Sequence, residues 1–172
     1  MKKLLTGLLA LLMLVSSVFV LSSCAKKPEL DLEDAKEALE DAEYVVNYVE
    51  ESDKNGVESY LSASKKVDGD DLWDTYDIKI TKYEKASTAK LEYQIQKKQY
   101  EMTLEYYKLE IKKAKHYLSK YEKDLSSSEI DSYEGEIKEL EKALEEYKED
   151  YVIGRSGKYV WYGDLKALEA TK

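Results

Sequence analysis

The spacing of apolar and polar positions divides the chain into one long apolar run, stretches of helical period and stretches of strand period. Leu4 to Leu21 is almost continuously apolar, interrupted by Thr6, Gly7, Ser16 and Ser17. A short polar link, Ala25 to Pro28, follows. From Glu29 to Glu43, Leu32, Ala35, Leu39 and Ala42 fall on one face with acids between them, which predicts an amphipathic helix. The period then changes to two. Tyr44 to Val49 is rich in strand formers; Val57, Ser59, Leu61 and Ala63 alternate with Glu58, Tyr60, Ser62 and Ser64; and Tyr76, Ile78 and Ile80 alternate with Thr75, Asp77 and Lys79. Asn55-Gly56 and Asp68-Gly69 supply the turns, because both residue types tolerate positive φ. These stretches predict a three-stranded antiparallel meander.

A different repeat governs residues 84–150, which hold no proline and only one glycine, Gly135. Leu104, Ile111, Leu118 and Leu125 recur every seven residues, as do Tyr93, Tyr100, Tyr107, Ala114 and Tyr121, and the two rows form one seam. Ile130, Tyr133, Ile137, Leu140, Leu144, Tyr147 and Tyr151 form a second seam with steps of three and four. Between them, Ser126 and Glu129 have the spacing of a capping box. The pattern predicts two long arms of an antiparallel helical hairpin. Leu91, Ile95, Met102 and Leu109 lie off the main seam, and the expectation is that this extra apolar face packs on the sheet while the distal half projects.

Strand period returns at Tyr151-Val152-Ile153 and Tyr159-Val160-Trp161-Tyr162, flanking Gly154 to Gly157 as a hairpin loop. Asp164 is placed to cap a last helix containing Leu165 and Leu168. The expected fold class is α+β: a small antiparallel sheet of about five strands, element order α-β-β-β-α-α-β-β-α, helices packed on one sheet face, and a protruding helical hairpin inserted at about 84–150.

The N-terminal run has the three parts of an export signal: Lys2 and Lys3, the apolar stretch, and Leu21-Ser22-Ser23-Cys24. That tetrad resembles the lipobox of bacterial lipoproteins. The resemblance implies that residues 1–23 are a signal peptide removed before Cys24, that Cys24 carries thioether-linked lipid, and that residues 24–28 tether a single domain at 29–172. It further implies attachment to the extracytoplasmic face of a cell membrane, the outer leaflet in a Gram-positive cell. Cys24 is the only cysteine, so the domain is expected to fold without a disulfide. The stretches 32–49, 57–64 and 151–167, with the ending Val152-Ile153-Gly154-Arg155-Ser156-Gly157-Lys158, also resemble small uncharacterised lipoproteins of low-GC Gram-positive bacteria, a family that implies no particular activity.

Charge narrows the partners. The chain carries a formal net charge of −9; residues 1–23 hold two lysines and no acids, so their removal leaves −11. Such a chain repels nucleic acid and anionic lipid faces. Arg155 is the only arginine, and sixteen tyrosines stand against a single phenylalanine.

Candidate chemistry is sparse. No nucleophile elbow, phosphate loop or His-Glu metalloprotease motif is present. His116, the only histidine, falls on the outer side of the first arm, and Asp68-Gly69-Asp70-Asp71 with Asp74 lacks the alternation of a calcium loop. No metal, cofactor or catalytic residue is expected. Trp73, Trp161 and Tyr162 on strands, and Arg155 in a hairpin loop, are the candidate recognition residues, since aromatic faces bind sugars and proteins at low entropy cost. The reading from sequence is a non-enzymatic envelope lipoprotein that binds another surface protein or a wall polymer. The alternatives are a glycan hydrolase with paired carboxylates and an accessory ligand-capture lipoprotein.

Overall fold

The computed structural model describes residues 27–28, 30–52, 56–66 and 75–172. Cys24, the signal stretch, Asn55, the Asp68-Gly69 turn and Trp73 lie outside the described residues.

The first element, α1 (Leu32–Asp41), starts where Asp31 accepts a hydrogen bond from the Glu33 N–H at 3.0 Å. Its stripe Leu32, Ala35 and Leu39 is buried, and Glu43, two residues past its end, takes φ +65°. Three strands follow: β1 (Val45–Val49), β2 (Val57–Lys66) and β3 (Thr75–Tyr83), pairing antiparallel in sequence as the meander predicted. The helical hairpin comes next, α2 (Ala86–Tyr121) and α3 (Ser127–Asp150). Strands β4 (Tyr151–Ser156) and β5 (Tyr159–Asp164) and a short α4 (Leu165–Glu169) complete the chain. The sheet order is β1-β2-β3-β5-β4, all antiparallel, with β5 inserted beside β3.

On one face, strand alternation presents Leu61, Ala63, Ile78, Ile80 and Trp161 to α1 and α4, whose Leu39, Ala167 and Leu168 close the main core. Full burial of Leu39, Leu61 and Ile80 makes each worth about 2–5 kcal/mol against truncation to alanine. Trp161 sits over Gly154, where a Cβ would lie 2.2 Å from the indole, so only glycine fits opposite that ring.

Helices cover parts of both faces, not one. The first turns of α2 pack on the opposite face, where Tyr83, Ala89 and Val160 form a second core with Val57, Tyr93 and Tyr162 against it. At the hairpin base Tyr100, Tyr147 and Tyr151 stack with centroids 5.0–5.7 Å apart, tying both arms to β4. Further out, contacts run arm to arm: Ile111, Ile137 and Leu144 are buried, Tyr117 meets Tyr133 at 5.1 Å, and Lys115 pairs with Glu141 at 2.6 Å. Ser126 accepts from the Glu129 N–H while the Glu129 carboxylate accepts from the Ser126 N–H at 2.8 Å, the capping box that starts α3.

Two expectations change. Leu91, Ile95, Met102 and Leu109 do not reach the sheet; they are exposed, because helical geometry puts them about 180° from the seam that does. The last hairpin turns at Gly157-Lys158, with Ser156 opposite Tyr159, so Gly154 and Arg155 belong to strand β4. Gly157 takes φ +58°, which suits the first loop position of a tight hairpin.

Candidate functional site

The hairpin base covers the sheet's second face over β4 and β5 and meets β2 only near Val57, leaving the rest of that face open. The reason lies in the strands. On this face the register aligns Asn47 with Ser62, Ser62 with Lys79, and Ser64 with Asp77, a row of polar side chains that offers a helix no apolar surface to bury. Val45, at its edge, is 78% exposed.

A groove of about 560 Å³ results. Its floor is Asn47, Ser62, Ser64 and Lys79 from the first three strands, and its wall is Tyr151, Tyr162, Gly163 and Asp164 from the last hairpin. Tyr162 lies opposite Lys79 in register, on the same face of the sheet. The Lys79 ammonium also lies 5.8 Å from the centre of the Tyr60 ring.

Two carboxylates meet at the end of this groove. Gly163 has φ +138° and lies so close to β3 that a Cβ would sit 2.2 Å from the Asp77 carbonyl oxygen. This approach ends the regular ladder and turns the next side chain onto β3: Asp164 Oδ2 accepts the Asp77 N–H at 2.6 Å. Asp77 Oδ2 in turn accepts the Thr75 hydroxyl at 2.9 Å. Burial raises the Asp164 carboxyl above the usual carboxylate range; the Asp77 N–H opposes that shift, while the Asp77 and Asp150 charges add to it and Lys166 works against it. Burial, then Tyr147, Tyr162 and Asp164, pushes Tyr151 up to about 12. Tyr162 is raised by burial and by Glu92. At neutral pH both phenols are therefore neutral and able to donate.

No family model, curated protein or solved structure matches the chain. Among the described residues, no group of three or more His, Cys, Asp and Glu is arranged to hold a metal ion.

Of the recognition residues expected from sequence, Tyr162 lies in the groove wall. Trp161, one position earlier, points to the other face and is 3% exposed, so its indole builds the core and is not presented to a partner. Arg155 is exposed on β4 and donates to the Gly157 carbonyl at 3.0 Å, bracing its own turn. Trp73 and Cys24 lie outside the described residues. His116 is exposed on α2, its carbonyl accepting the Ser119 hydroxyl. Asn47, Lys79, Asp77, Tyr151 and Asp164 were missed. Their signal was the polar half of the strand alternation, which by itself reads as an ordinary wet face. Asp164 read as a helix cap, but it makes no side-chain cap hydrogen bond and turns to β3 instead.

Proposed function

We propose that this chain is a lipid-anchored envelope protein whose open sheet face binds a neutral, hydroxyl-rich ligand such as a wall glycan. The anchor rests on the Leu21-Ser22-Ser23-Cys24 tetrad. On this reading attachment is by lipid on Cys24; no helix among the described residues, which do not include the apolar run 4–21, is long and apolar enough to cross a membrane. The observation that carries the ligand reading is the groove itself. It combines aromatic walls with an amide, hydroxyls, an ammonium and carboxylates, the mixture that grips a sugar by its faces and its hydroxyls. The net charge of −11 left after removal of residues 1–23 favours a neutral polymer over an anionic one.

A second reading, glycan hydrolysis, draws on Asp77 and Asp164. A raised carboxyl such as that of Asp164 suits a general acid. Against it, each carboxylate already has an oxygen engaged in a hydrogen bond within the strand ends.

Purified cell wall should retain residues 25–172, with soluble glycan fragments competing. Asn47→Ala and Lys79→Ala should each weaken retention by about two- to tenfold, the value of one or two hydrogen bonds, without shifting the melting temperature. Retention unchanged in the double variant would reject the groove. Release of new reducing ends that disappears in Asp164→Asn would replace binding with hydrolysis.

A further inference from the structure

The outer side of α2 carries an apolar stripe that the fold leaves without a partner. Leu91, Ile95, Met102, Tyr106 and Leu109 are between 43% and 60% exposed. At 3.6 residues per turn they fall within an arc of about 60°, opposite the seam of Tyr93, Tyr100, Leu104, Tyr107 and Ile111, and they run for about 27 Å. A helix that is apolar on two opposite sides suits a position between two packing partners, and α3 with the sheet supplies only one.

We propose that this stripe is a self-association surface at which two copies pair α2 against α2, antiparallel, about a two-fold axis at Met102. Charge complementarity selects the second copy as occupant. With the axis at Met102, Ile95 of each copy faces Leu109 of the other, and the two Met102 side chains meet. Lys98, on one edge of the stripe, then comes within one residue of Glu105 of the other copy. The two-fold repeats the pair, giving two cross-copy ion pairs beside an apolar centre, the self-complementarity of an isologous contact. Parallel pairing would put the two Lys98–Glu105 edges on opposite sides of the contact and lose these pairs. Within one copy Lys98 pairs with Glu101 at 4.0 Å, an i,i+3 surface pair weak enough to be exchanged. One helical strip is smaller than the roughly 800 Å² per partner of a standard stable interface, so the association is weak and concentration-dependent.

All described elements lie within residues 25–172, which makes that chain the sample for sedimentation equilibrium from about 10 μM to about 1 mM. The expected result is a mass rising from monomer toward dimer. Met102→Glu, which puts like charges on the axis at an exposed helix position, should hold the protein monomeric with an unchanged circular-dichroism spectrum and melting temperature. Lys98→Glu should weaken association roughly three- to thirtyfold, and adding Glu105→Lys should restore it. A monomeric mass at every concentration, or a dimer indifferent to Met102→Glu, would overturn the proposal. So would monomeric protein that sediments with phosphatidylglycerol vesicles through the same residues, which would assign the stripe to lipid.

Discussion

Replacing Gly163 by alanine tests the corner that forms the groove, and the structure sets the size of the effect. Two separate costs arise. The residue holds φ +138°, a conformation that a side chain rarely adopts, at about 1–3 kcal/mol. The new Cβ would also sit 2.2 Å from the Asp77 carbonyl oxygen and 2.7 Å from the Ile78 Cα. Both neighbours are backbone, so relief requires β3 and β5 to part, and overpacking of this kind costs about 1–3 kcal/mol. Parting them also lengthens the 2.6 Å bond from Asp77 to Asp164. A loss of about 4 kcal/mol is expected, and at 2–4 °C per kcal/mol for a chain of this size the midpoint should fall by about 8–16 °C. Gly135→Ala is the matched control. Its Cβ would meet nothing within 4 Å, and the site lies inside α3, so the midpoint should rise by the equivalent of about 0.5–1 kcal/mol. Thermal and urea melts followed by circular dichroism read both. If Gly163→Ala melts within about 3 °C of the parent, the close approach described at the groove is wrong.

The remaining predictions use the same preparations. Tyr151 has a phenol raised from 10 to about 12, so its contribution to stability is fully present below pH 10 and is lost as pH rises through about 12. Absorbance at 295 nm should show late tyrosinate formation coinciding with unfolding, and Tyr151→Phe should reduce the late step by one phenol, leaving Tyr83, also raised to about 12, to titrate late. Asp164 is raised above 3.8, so its folded form prefers the proton; stability present below pH 3.8 is lost as pH rises through the folded value. Asp164→Asn, which keeps an acceptor for the Asp77 N–H, should flatten that part of the pH–stability curve, and an unchanged curve would discount the burial argument. Ser126→Ala removes the side-chain cap of α3 and should cost about 0.5–2 kcal/mol in urea melts, mostly through fraying between the arms.

Much of the fold was legible in residue spacing because the repeats are long. Seven-residue recurrence through Tyr100, Leu104, Tyr107 and Ile111 has few readings besides a seam, and the reciprocal hydrogen bonds of Ser126 and Glu129 follow from their three-residue separation. Strand alternation placed Leu61, Ile78 and Ile80 on one face, and they are in the core. What spacing could not supply was the identity of the partner across each face. Leu91, Ile95 and Met102 have a defined direction on the helix, but only the tertiary arrangement shows that the sheet lies on the other side. Adjacent aromatics in β5 were separated for the same reason: Trp161 and Tyr162 must point to opposite faces, and only one of those faces is closed by α1 and α4. Glycines misled locally. Gly154 reads as a turn residue, yet its missing side chain makes room for the Trp161 ring, and the turn falls at Gly157. Asp164 has cap chemistry at a cap position, but the turn at Gly163 gives its carboxylate to Asp77.

The groove as a ligand site is tested most directly by titrating isotope-labelled residues 25–172 with neutral wall-glycan fragments and following backbone amides by NMR. Binding in the groove would give saturable shifts centred on Asn47, Ser62, Ser64, Asp77, Lys79 and Tyr162, with α3 and the Arg155 turn silent. Saturable shifts confined to the helical arms, or none at millimolar glycan, would contradict it.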